Sequence, residues 1–168
     1  MAIVAEYGAA VAAPRARIVP RQKRLPAISD FRCLVVSEPA LRRAMLAGGA
    51  ERAGWETVVC ESVDSGWQAC QRERFEMAVV DFAVLDGELD AESVRQMREL
   101  TEQLATQRNM LLMLCGNEGD ALEEIWARQL GVWLYLPGIR EQNDVQALCS
   151  QALPVAERLA GRQRELVG

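Results

Sequence analysis

Apolar residues along this chain come in short unbroken blocks, separated by stretches with helical spacing. The block Met77-Ala78-Val79-Val80 ends at the carboxylate of Asp81. An uninterrupted apolar run of this length suits a strand buried on both faces, as in a parallel sheet covered by helices. The charge at its carboxyl end falls where open α/β sheets carry their functional groups. Asp81 is therefore the first candidate residue. Further strands are predicted over residues 31–36, 56–60, 110–114 and 132–136.

Helices are predicted between the strands. Pro39 suits the first turn of a helix over residues 40–52, with Leu41, Ala44, Met45 and Leu46 facing inward. Gly48-Gly49 weakens its end and Gly54 stops it. Ser62 or Asp64 caps a short helix through Arg74, with Trp67 and Cys70 inward. A loop over 82–90 leads to a helix over 91–107, where Val94, Met97, Leu100 or Thr101, and Leu104 fall at helical spacing. Asn117 or Asp120 caps a helix that Gly131 stops. Asp144 opens a last helix through Leu153, and Pro154 either kinks it or starts a separate helical tail. Five strands alternating with five helices mean βαβ units, right-handed crossovers and an α/β, doubly wound parallel sheet with helices on both faces.

Composition sharpens this picture. The 168 residues suffice for one domain with tails, expected as a basic Pro/Arg-containing arm over 1–30, the domain over 31–153 and a helical tail over 154–168. The net charge of −5 argues against nucleic acid as a partner, because phosphate binding needs a basic surface. Histidine is absent, which removes imidazole bases, Ser-His-Asp triads and His-ligated metals. Lys23 in the arm is the only lysine, so the domain has none to act as nucleophile or phosphate clamp. Cys33, Cys60, Cys70, Cys115 and Cys149 are scattered without a C-x-x-C pair and read as reduced thiols in a cytoplasmic protein. No stretch is long and apolar enough for a membrane span, no secretory leader is expected, and no phosphate-loop or dinucleotide motif occurs. Glu118, Asp120, Glu123 and Glu124 read as a solvated acidic helix start or an acidic docking face. The four tryptophans read as core or rim packing.

From residue 31 to about 153 the sequence resembles the receiver domain of bacterial response regulators, the CheY-like, flavodoxin-like fold with strand order 2-1-3-4-5. The resemblance is carried by Arg32-Cys33-Leu34-Val35-Val36-Ser37-Glu38-Pro39-Ala40-Leu41-Arg42-Arg43, Ala53-Gly54-Trp55, Ala78-Val79-Val80-Asp81 and Leu134-Tyr135-Leu136-Pro137. It implies that Asp81 is the phospho-acceptor and that Glu38, with Asp81, is what remains of a weak magnesium site; the residues themselves also read as a strand-end acid hydrogen-bonded to backbone amides at Asp81 and as a first-turn helix acid favoured by the dipole at Glu38. The resemblance also implies degeneration. Cys115 stands at the family's hydroxyl position, Leu136 at its lysine position, and Trp133 best matches its aromatic switch position. The Met-Pro that follows the family's acceptor is replaced by Phe82-Ala83. Leucine donates no hydrogen bond and a thiol donates a weak one. A full population switch needs about 5.5 kcal/mol of differential binding, so Asp81 is expected to be a poor acceptor with a weak response.

The resemblance therefore implies a pseudo-receiver in two-component, phosphorelay signalling, acting through protein–protein contacts, with Asp81 as a weak phospho-acceptor. Its partners would be a histidine kinase, a phosphotransfer protein or another signalling protein, with a homodimer also open. No enzymatic activity is expected beyond self-phosphorylation and dephosphorylation at Asp81, and no cofactor beyond weakly held magnesium. The alternative is a phosphorylation-independent adaptor that kept only the fold. A flavodoxin-like enzyme or ligand-binding domain is the least supported reading. The tail after Pro154 is too short for an output domain, which suggests a stand-alone adaptor.

Overall fold

The computed structural model describes residues 30–83 and 90–167, with side chains described through Gly161. The predicted arm over 1–30 lies almost wholly outside the described residues, as does most of the loop after Ala83. Ten elements alternate: β1 (Arg32–Val36), α1 (Ala40–Arg52), β2 (Glu56–Cys60), α2 (Val63–Arg72), β3 (Met77–Asp81), α3 (Ala91–Ala105), β4 (Leu111–Gly116), α4 (Ala121–Leu130), β5 (Leu134–Pro137) and α5 (Gln142–Val167). All strand pairs are parallel, in the order β2-β1-β3-β4-β5.

The two faces of the sheet carry separate cores. Cys33, Val35, Met77, Val79, Met113 and Cys115 pack against α1 and α5. Leu34, Val36, Ala78, Val80, Leu112 and Leu114 pack against α2, α3 and α4. Strand alternation sorts the residues, and every residue of β3 and β4 is buried. Each large apolar side chain buried here contributes about 1.5–3 kcal/mol.

Local signals explain the element ends. Ser62 and Ser65 form a reciprocal capping box on α2. Asp90 caps α3, and Asp120 accepts from the Glu123 amide to cap α4. Gly131 closes α4 at φ 80°, a left-handed conformation that glycine adopts without steric cost.

Four features differ from the sequence expectation. The inward stripe of α1 is rotated by about one residue. Leu41 is 79% exposed and Ala44 is exposed, while Arg42, Leu46, Ala47, Gly49 and Ala50 are buried. Pro39 is the N-cap of α1 and not part of its first turn, so Glu38 lies outside that turn. Glu123, expected in a solvated acidic cluster, is buried. Finally, α5 passes through Pro154 as one helix starting at Gln142.

The rotation of α1 follows from its contact with α5. A β-carbon at Gly49 would stand 2.6 Å from the Val145 β-carbon, so the missing side chain is what lets the two helices approach. Gly48, beside it, would meet only the flexible end of Gln142.

Candidate functional site

The parallel register aligns the positions singled out in the sequence. Asp81 pairs with Cys115, and Cys115 pairs with Leu136. Ser37 directly follows Val36, which pairs with Val80. Ser37, Asp81, Cys115 and Leu136 thus form one row across the carboxyl edge of the sheet.

Asp81 is 1% exposed. A buried carboxylate requires compensating donors or a counter-charge. Here it has both. Arg42 reaches over the sheet edge from the first turn of α1 and binds in a fork. Its Nε donates to Asp81 Oδ2 at 2.8 Å and its Nη2 to Oδ1 at 2.8 Å. Ser37 Oγ donates to Oδ2 at 2.8 Å, and the Ala83 amide donates to Oδ1 at 3.2 Å. A carboxylate offers about four lone-pair sites; at Asp81 each oxygen accepts two donors. The remaining Arg42 nitrogen, Nη1, donates to the Ile139 carbonyl at 3.0 Å, tying the segment after β5 to the same ion pair. Burial opposes the charge on Arg42, but the hydrogen bond and charge of Asp81 outweigh it and raise the guanidinium pKa.

The other predicted positions take no part in this network. Cys115 is fully buried, and burial together with the Asp81 charge pushes its thiol pKa well up, so it stays protonated. Leu136 packs on the α1/α5 core. Glu38 is half-buried and contributes its backbone carbonyl to Arg43 Nη1 at 2.7 Å. Trp133 packs on the α1/α5 core. The β5 aromatic that meets α4 is Tyr135, whose hydroxyl donates to Glu123 Oε1 at 2.9 Å. Burial raises the Glu123 pKa against the lowering effect of that hydrogen bond. Burial and the Glu123 carboxylate push the Tyr135 pKa up as well. A β-carbon at Gly116 would collide with both Glu123 Oε1 and the Tyr135 hydroxyl, so this pair fills the space beside the end of β4.

A magnesium ion in this position would need oxygen ligands in near-octahedral geometry at about 2.0–2.1 Å. Both Asp81 oxygens are already occupied, the adjacent group is a cation, and the described residues hold no cluster of three or more His, Cys, Asp or Glu side chains suited to a metal. The residues as arranged do not fit the ion. A cleft of about 150 Å³ opens beside the pair, lined by Arg42, Ala83, Gly116, Asn117, Gly138 and Ile139 among others.

Sequence reasoning found Asp81 and missed Arg42. The signal was present: Arg42, Leu46, Gly49 and Ala53 share one helical stripe. Among side chains, a buried acid in a domain without lysine or histidine can take its counter-charge from arginine alone.

Five parallel strands in the order β2-β1-β3-β4-β5 with an acid at the end of the central one define a doubly wound α/β domain. No protein-family model matches the chain, and no curated protein does. Solved structures do match. A CheY-like response regulator receiver domain protein from Methanospirillum hungatei JF-1 aligns with a TM-score of 0.62 at 18% identity, over 77% of this chain and 98% of that one. The chemotaxis response regulator CheY4 of Vibrio cholerae aligns with a TM-score of 0.57 at 13% identity, over 73% and 98%. A structure described as adenylate cyclase from Rhodopirellula baltica aligns with a TM-score of 0.59 at 17% identity, over 80% and 96%. The chain therefore has the fold of CheY-like response regulator receiver domains.

Proposed function

We propose that this chain is a receiver-fold module of two-component signalling that works through protein–protein contacts, with Asp81 serving mainly as a buried structural anion. The observation that carries this reading is the forked Arg42–Asp81 pair. A carboxylate accepts a phosphoryl group by in-line attack of one oxygen on phosphorus. At Asp81 that oxygen would first have to give up a charge-assisted hydrogen bond, each of which contributes about 1.5–3 kcal/mol. Response-regulator relatives of the fold suggest a histidine kinase, a phosphotransfer protein or another signalling protein as partner. The domain binds that partner in one standing conformation and needs no catalytic activity of its own. A reducing, cytoplasmic setting suits the five free cysteines.

The test is intact mass after incubation with magnesium and a small acyl phosphate. Trace labelling at most is expected, with Asp81→Asn behaving like wild type. Full labelling of wild type that disappears in Asp81→Asn would overturn the proposal. Leu136→Lys with Cys115→Thr supplies the donors missing at the sheet edge, yet it leaves Arg42 in place. That double variant should remain poorly labelled until Arg42 is also replaced.

A further inference from the structure

We infer that Arg42 is a resident cation: its guanidinium does at this sheet edge what a bound metal ion would otherwise do, and it makes the domain indifferent to divalent cations. Three observations converge on this. The guanidinium is buried, with the Arg42 side chain 5% exposed, so its charge is committed to the interior. It engages both Asp81 oxygens in a planar fork, which a point-charge ammonium cannot reproduce. Its third contact, to the Ile139 carbonyl, connects the acid to the segment after β5, where Leu136 offers no donor. One side chain thus supplies both the counter-charge and the link between β3 and the β5–α5 junction. With Ser37 and the Ala83 amide completing the set, the carboxylate has no vacant lone pair for a metal.

Asp81 is thereby a latent cation site. Removing the guanidinium frees two lone pairs on a buried carboxylate and leaves its charge unbalanced. A small divalent ion is the species suited to restore that balance, because hard cations take oxygen ligands.

Three full-length proteins test this: wild type, Arg42→Met, and Arg42→Met combined with Asp81→Asn. Methionine keeps much of the buried volume and removes the charge. Each is melted across a magnesium titration, with calorimetric titration of the same ion. Wild type should bind no magnesium and show no change in melting temperature. Arg42→Met should melt lower and rise with magnesium, and the added Asp81→Asn should abolish the rise. Magnesium binding to wild type that is lost in Asp81→Asn would overturn the inference, as would an Arg42→Met protein whose melting ignores magnesium. If Arg42→Met does not fold unaided, it is refolded in magnesium and, separately, in chelator: recovery with magnesium alone supports the inference, and equal failure in both overturns it. The outcome is separate from that of the functional proposal, because wild type could bind magnesium and still leave Asp81 unlabelled.

Discussion

Asp81 holds a charge at 1% exposure, and its environment is stable as long as its donors stay. Breaking a buried ion pair by removing one partner typically costs about 3–5 kcal/mol, since the other charge is left uncompensated. Arg42→Met should lower unfolding free energy by about that much in urea, whereas Ser37→Ala, which removes one neutral donor, should cost about 1–3 kcal/mol. Arg42→Lys should fall between them, because an ammonium cannot form the fork. Glu123 shows the opposite electrostatics. Burial raises its pKa in the folded protein, so between the unfolded and folded values the folded state binds more protons. Stability contributed by this residue therefore falls as pH rises through that window. Glu123→Gln keeps an oxygen for the Tyr135 hydroxyl and removes the buried charge. It should melt higher than wild type at neutral pH, and the difference should shrink as pH falls below the ordinary glutamate range.

At the scale of elements, strands were the most legible part of the sequence. The apolar runs at Met77–Asp81 and Leu111–Gly116 have one physical use, burial on both faces, and both are interior strands of the sheet. Helix faces were less legible. In α1 the competing stripes differ by one residue, and the one containing Arg42 looks wrong until its acid partner across 39 residues is known. The Gly48-Gly49 pair read as a weakness, yet its two members have different roles. Gly49→Ala drives a β-carbon into Val145 and should cost about 1–3 kcal/mol by overpacking, partly offset by about 1 kcal/mol of better helix propensity. Gly48→Ala keeps the propensity gain and displaces only the end of Gln142, so it should be neutral or stabilising. Chemical denaturation of the two single variants separates packing from propensity. That Trp133 packs on the α1/α5 core while Tyr135 faces α4 was illegible for a similar reason. β5 starts at Leu134, so Trp133 precedes the alternation that would have placed it.

For the whole molecule, the alternating pattern was enough to anticipate a parallel sheet covered by helices with Asp81 at the carboxyl end of a buried strand, and the strand order came from the resemblance to receiver domains. The state of the site was not readable, since it depends on one long-range contact between side chains. Val80→Asp tests the global claim. It places an unpaired charge among Val36, Leu114 and the helices on the α2/α3/α4 face, and no soluble, cooperatively folded protein should be obtained. The Arg42 clamp also has a consequence in time. Its contacts close chain separations of 39 and 97 residues, and the charges gain their full attraction only after the apolar layers have expelled water around them. The clamp should therefore be absent from the folding transition state and present on the native side of the barrier. In stopped-flow measurements Arg42→Met should refold at nearly the wild-type rate and unfold much faster, a φ-value near zero. Equal slowing of refolding would place the pair in the nucleus. Arg42 then acts as a latch on the lifetime of the folded state, and each domain, once closed, keeps the same surface for as long as that latch holds.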